Sequence, residues 1–180
     1  ARPDEPLVRA DIDYDVLIVG GGVAGLACAS LLRNLLRGRR EPLRIAVLEA
    51  RAPRQPAADA GPGLRVFAIA PAGRAILEAC GGWNGLPPGM AAPYERMRVW
   101  QAGSTPFGAG SIGFDAAESG GSDLGHIVDH DWLRLGLWNA LLEPRGGEVH
   151  LLTGSSPAGL EAGPGATTVR LADGEALQTR

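Results

Sequence analysis

Residues Asp15 to Glu49 run as a short apolar strand, a glycine-rich turn, a helix with one apolar face, a second apolar strand and a terminal acid. Few folds accept that order. Val16, Leu17, Ile18 and Val19 form the first strand, and Gly20, Gly21, Gly22, Val23, Ala24 and Gly25 supply the spacing G-x-G-x-x-G. In that spacing Gly20 allows the tight turn out of the strand, Gly22 lets the backbone approach a diphosphate with no Cβ in the way, and Gly25 lets helix and strand pack closely. The amides of the helix start, Ala24 among them, then face the anion. Leu26, Ala29, Leu32 and Leu36 recur every three or four residues, so one helical stripe is apolar, with Ala29 and Leu32 expected on the sheet. Arg33, Arg37, Arg39 and Arg40 give a charged end suited to the negative pole of a helix, and Pro42 prevents continuation. Residues 43–48 read as the second strand, and Glu49, 24 positions after Gly25, stands where a carboxylate accepts hydrogen bonds from both ribose hydroxyls. With 27 glycines in the chain a three-glycine match alone is weak. The full strand, turn, helix, strand and acid context is what points to an adenine dinucleotide, against a glycine-rich turn in an ordinary α/β core.

Composition narrows the chemistry. The 180 residues fit about one domain, and no stretch approaches the ~20 apolar residues that cross a bilayer. Ala1 to Asp13 is charged, lacks a signal-like apolar core and reads as a flexible lead-in. All 17 basic residues are arginine, so a Walker-type phosphate loop and a Schiff-base lysine are both excluded. A net charge of −3 gives no argument for a nucleic-acid partner. Cys28 and Cys80 lack C-x-x-C spacing and read as buried thiols, and His126, His130 and His150 form no recognisable metal-ligand group.

After a loop over 51–63, residues 65–69 read as a strand and Pro71 to Cys80 as a helix, with proline in its first turn and Gly81 and Gly82 as its stop. Arg65 is a lone arginine between apolar segments: it either reaches a phosphate or flavin edge or is a solvated strand-end charge. From 83 to 125 glycine, proline and serine interrupt the chain, with strand-like pieces at Arg96 to Gln101 and Ser111 to Asp115, an antiparallel excursion that builds either a pocket wall or a plain hairpin. Asp129 follows the apolar run His126 to Val128 as N-cap of a helix over Asp131 to Glu143. Trp132, Leu135, Trp138, Leu141 and Leu142 fall at helical intervals, with the tryptophans read as core, and Arg134 lies on another side. Glu148 to Leu152 read as a third parallel strand. Pieces at 156–161, 167–171 and 176–179 form a meander, with Asp173-Gly174 as its hairpin turn.

Four stretches carry a more specific likeness: Tyr14 to Leu32 (YDVLIVGGGVAGLACASLL), Leu64 to Leu77 (LRVFAIAPAGRAIL), Pro93 to Gln101 (PYERMRVWQ) and Ile112 to Leu142, in which LGHIV leads into a tryptophan-containing helix. The sequence resembles the N-terminal part of the flavin-dependent aromatic hydroxylases, and within them the ubiquinone-biosynthesis hydroxylases of the bacterial UbiH type. The resemblance implies an α/β class with a Rossmann-like FAD-binding fold in three layers (ββα), a β-meander and an antiparallel substrate-domain insertion. It implies a lead-in at 1–13, an FAD-binding domain over 14–82 and 126–180, and the insertion at 83–125. Gly20, Gly22, Ala24 and Gly25 would meet the FAD pyrophosphate, Glu49 the adenosine ribose, Arg65 the flavin side and Arg134 the phosphates. Phe67 departs from the small residue usual in its stretch. NAD(P)H would be a transient reductant, and oxygen would reach the ring of a polyprenylated phenol through a flavin hydroperoxide. No catalytic side chain and no metal are called for.

The same resemblance implies a cytoplasmic protein, peripheral at the inner membrane or within a quinone-biosynthesis complex. It also places an Asp-Gly and a Gly-Asp motif beyond Arg180, so a fragment incomplete at its C-terminus, inactive alone, is expected. Three alternatives stay open. They are another flavin oxidoreductase, although the redox C-x-x-x-x-C of a disulfide reductase is absent; an NAD-dependent dehydrogenase; and a dinucleotide-binding module without turnover.

Overall fold

The computed structural model describes residues 12–36, 38, 40–57, 61–144 and 147–180. Its first half runs β1 (Val16–Val19), α1 (Val23–Leu35), β2 (Ile45–Glu49), β3 (Val66–Ile69), α2 (Pro71–Ala79), β4 (Ala91–Tyr94) and β5 (Arg96–Val99). The second half runs β6 (Ile112–Asp115), β7 (Gly125–Asp129), α3 (His130–Leu142), β8 (Val149–Thr153), β9 (Pro157–Gly163), β10 (Ala166–Leu171) and β11 (Ala176–Thr179). Two compact units result, one of Ala1–Pro53 with Trp138–Arg180 and one of Arg54–Leu137.

In the first unit β2 lies between β1 and β8, all parallel, with Val16 opposite Ile45 and Ile45 opposite Val149. A central parallel strand covered on both faces must be apolar throughout, and Ile45, Ala46, Val47 and Leu48 are all buried. Helix α1 covers one face. The antiparallel meander, ordered β11-β10-β9, covers the other, where Leu48, Val169 and Leu171 form a core closed by Leu17, Leu152 and Leu177. The expected three layers are therefore present, and the strands that build them fall within a few residues of the expected positions. The lead-in expected over 1–13 lies outside the described residues up to residue 11; Asp13, near its end, accepts from the Gln178 amide at 2.8 Å.

Arg33, expected at the charged end of its own helix, serves the negative pole of another. Its side chain is buried, with Nη2 donating to the Ala140 carbonyl at 2.9 Å and Nη1 to those of Leu141 at 3.1 Å and Glu143 at 3.3 Å. These oxygens end α3, where the last carbonyls have no partner within the helix and carry the negative pole. The buried stripe of α1 is accordingly Leu26, Ala29, Ser30 and Arg33, while Leu32 and Leu36 are only half-buried. Arg37 and Arg39 lie outside the described residues. Cys28, two residues from Leu26 and so on the other side of α1, is exposed and not the buried thiol expected; Cys80 is buried.

In the second unit β7 lies between β3 and β4 and pairs antiparallel with both. Residues 54–82 and 126–137 thereby share a unit with 83–125. The strands β5 and β6 pair antiparallel as a separate ribbon, Met97 opposite Phe114 and Val99 opposite Ile112. Helix α2 starts with proline in its first turn, as its sequence indicates. Asp129 caps α3, its Oδ1 accepting from the amides of Asp131 at 2.9 Å and Trp132 at 3.0 Å. The α3 core face, however, is Leu133, Leu137, Trp138 and Leu141, with Leu142 exposed at 63%.

Candidate functional site: the glycine turn and its acid

The turn between β1 and α1 uses its glycines for different reasons. Gly20 has φ +105°, a conformation that side chains rarely adopt. A Cβ on Gly25 would lie 2.0 Å from the Gly20 carbonyl oxygen and 3.3 Å from Ile18 Cγ2, so helix and strand meet only because it is absent. Gly22 differs from both. Its φ of −78° and ψ of 179° suit any residue, and a Cβ there would meet nothing within 4 Å. Neither backbone nor packing within the protein calls for glycine at this position, where serine would be the better helix cap. What glycine does there is leave the backbone open to an approach from outside.

That approach leads to the start of α1, which has no capping side-chain hydrogen bond and no acid in its first turn. Unpartnered helix-start amides at a positive pole, the Ala24 amide among them, make a place for an anion. Beside it stands Glu49. Its Oε2 accepts from the Gly21 amide at 2.6 Å and its Oε1 from the Arg51 amide at 3.0 Å. Two backbone donors thus orient the carboxylate beside the helix start. A diol next to a diphosphate is the ligand this arrangement suits.

The other two expected site residues lie in the second unit. Arg65 is exposed, with its Cζ 5.5 Å from the ring centroid of Phe67, and Arg134 is half-buried on α3. The structure thus gathers Gly20, Gly22, Ala24, Gly25 and Glu49 at one turn within one unit, and holds Arg65 and Arg134 in the other. Sequence reading missed the Gly21 amide that orients Glu49, and the third bond of Asp129, whose Oδ2 accepts from the Gly63 amide at 2.7 Å. It also missed the contact of His130 with Phe67, ring centroids 5.2 Å apart and nearly perpendicular. A three-glycine run with an acid at the next strand end signals the first; the others have no local signal. Among the described residues no group of histidine, cysteine or acidic side chains has the arrangement to hold a metal.

Comparison with known proteins agrees with this geometry. Residues 18–53 match the family of NAD(P)-binding Rossmann-like domains. The chain is 31% identical over 127 residues to 3-demethoxyubiquinol 3-hydroxylase of Escherichia coli (strain K12), covering 71% of this chain and 30% of that protein. It is 29% identical over 182 residues to the mitochondrial ubiquinone biosynthesis monooxygenase COQ6 of Mus musculus, covering 95% of this chain and 36% of the relative. Among solved structures, p-nitrophenol 4-monooxygenase PnpA from Pseudomonas putida superposes with a TM-score of 0.61 at 18% identity over 93% of this chain and 38% of that one. PqsL from Pseudomonas aeruginosa, a probable FAD-dependent monooxygenase, gives 0.58 at 22% over 92% and 40%. At such identities the likeness speaks for the fold. The chain spans about a third of the length of the two hydroxylases it matches. Residues 18–53 thus carry the likeness to an NAD(P)-binding Rossmann-like domain, and the chain is similar, over about a third of their length, to two ubiquinone-biosynthesis hydroxylases.

Proposed function

We propose that this chain is the FAD-binding part of a monooxygenase that hydroxylates the aromatic ring of a polyprenylated phenol in ubiquinone biosynthesis. The observation that carries the reading is the extent of the match to 3-demethoxyubiquinol 3-hydroxylase. It runs over 127 residues, where the dinucleotide-binding family model accounts only for 18–53, so the likeness is not that of a generic nucleotide turn.

The residues present fit FAD. Gly22 leaves a cradle that a side chain would fill, the amides at Ala24 and Gly25 offer donors to the pyrophosphate, and the Gly20 turn aims them. Glu49, already held by two amides, takes the adenosine ribose. Arg65 takes the flavin side and Arg134 the phosphates. Once bound and reduced by NAD(P)H, FAD supplies the activation of molecular oxygen that places one oxygen atom on the ring. The work of this chain is to grip, orient and shield, and no side-chain nucleophile is required.

We assign 14–82 and 126–180 to the cofactor and 83–125 to the substrate side. The β5–β6 ribbon supports that assignment, since Met97, Val99, Ile112 and Phe114 share one face and are each more than 40% exposed. Such a face suits an aromatic ring bearing a hydrocarbon tail. No helix among the described residues is long and apolar enough to cross a membrane. A lipid-borne substrate would be met by peripheral contact with the membrane or within a quinone-biosynthesis complex.

Titration of the 180-residue chain with FAD, followed by flavin fluorescence and absorbance, tests the reading. Saturable binding that Gly22→Leu abolishes supports it. A chain that binds NAD(H) and leaves FAD free in solution overturns it.

A further inference from the structure

Arg65 makes no ion pair among the described residues. Its guanidinium lies instead over the Phe67 ring, Cζ 5.5 Å from the centroid. Phe67 is in turn met edge-on by His130, centroids 5.2 Å apart at 73°, and His130 Nδ1 is 2.7 Å from Asp131 Oδ1. The main chain repeats the connection, for the His130 amide donates to the Arg65 carbonyl at 3.0 Å. Carboxylate, imidazole, phenyl and guanidinium thus follow one another, each in contact with the next. Phe67 lies in β3 and Arg65 immediately precedes that strand, its carbonyl bound by the His130 amide in line with the β3–β7 pairing, which puts both side chains on one face.

A guanidinium held by a ring face differs from one held by a carboxylate. An ion pair would occupy its N–H groups and cancel its charge. Stacking on a phenyl ring restricts the long side chain while leaving its five donors and full charge available at the plane's edge. The geometry points to Phe67 and His130 as positioning residues that hold Arg65 ready for the flavin side of FAD. Neither residue touches the cofactor in this account; both act through Arg65. The inference rests on the proposed FAD binding and adds the means by which one contact is made ready.

The test is a double-mutant cycle on the 180-residue chain, read by FAD titration. Phe67→Leu, which keeps apolar bulk and loses the π face, weakens FAD binding about three- to fivefold, the scale of one exposed cation–π contact. Phe67→Tyr restores it. In an Arg65→Leu background Phe67→Leu changes nothing further, because the contact it served is already gone. Equal losses in both backgrounds would make Phe67 a packing residue only and end the inference while leaving FAD binding intact. Failure of the unaltered chain to bind FAD would instead overturn the functional reading and this inference with it. If Phe67→Leu does not fold, His130→Ala takes its place in the same cycle: loss confined to the Arg65 background supports the series, and equal loss in both overturns it.

Discussion

Among the three motif glycines, the structure makes Gly25 a packing requirement and places none on Gly22. Gly25→Ala puts a Cβ against a backbone oxygen that cannot swing away, 2.0 Å distant, and should cost about 3 kcal/mol in urea denaturation. Gly22→Ser adds a capping oxygen to a helix start that has none, and should raise stability by about 0.3 kcal/mol. The same change should weaken FAD binding at least about tenfold in the titration, by filling the approach to the pyrophosphate. A variant that grows more stable as it loses ligand would show that this glycine serves the ligand. Asp173 offers a second test at this scale. The Glu175 amide donates to its Oδ1 at 3.0 Å and holds the carboxyl below the usual carboxylate range. A lowered folded-state value means that the charged form favours the folded hairpin. That contribution is present above the ordinary carboxylate pKa and is lost as pH falls through the folded value. In an acid titration followed by NMR, the Glu175 amide should shift with Asp173 protonation, and Asp173→Asn should remove the response.

Elements depend on interactions between distant parts of the sequence. Helix α1 presents its N-terminus to the proposed ligand and, three turns on, gives Arg33 to the end of α3. Arg33→Met keeps the length of the stem and removes three bonds to terminal carbonyls, so it should destabilise the protein by about 3 kcal/mol, measured by urea denaturation. Arg33→Lys should recover only part, since an ammonium cannot span three carbonyls with a planar fork. At the other end of α3, Asp129 joins two helix-start amides to the Gly63 loop, so one carboxylate fixes both a helix and the segment that leads to Arg65.

Across the whole molecule the two units are built differently. The first is a parallel sheet between a helix and a meander, the second an antiparallel sheet and ribbon with helices, and α3 contributes residues to both units. Leu48, 2% exposed, stands where the meander meets the parallel sheet. Leu48→Ala should cost about 3 to 4 kcal/mol, and hydrogen exchange should show loss of protection in β10 as well as β2. Protection lost in β2 alone would mean that the two layers do not share a core. The first unit was legible because strand, turn and hairpin signals are short: Asp173-Gly174 and the run Val16 to Gly25 declare themselves within ten residues. The second unit was harder to read. Its β4, Ala91–Tyr94, contains alanine and proline and becomes a strand only by pairing with β7.

The order of elements, the glycine spacing, the acid that ends β2 and the likeness to aromatic hydroxylases were all determined by the sequence. Each depends on neighbours or on a fixed short interval. Only the tertiary structure decided that Arg33 is a buried clamp, that Cys28 faces outward, that the Gly21 amide holds Glu49 and that Phe67 meets both Arg65 and His130. Those partners lie up to 110 residues apart, and a polar or aromatic side chain carries no local mark of the distant group that will satisfy it.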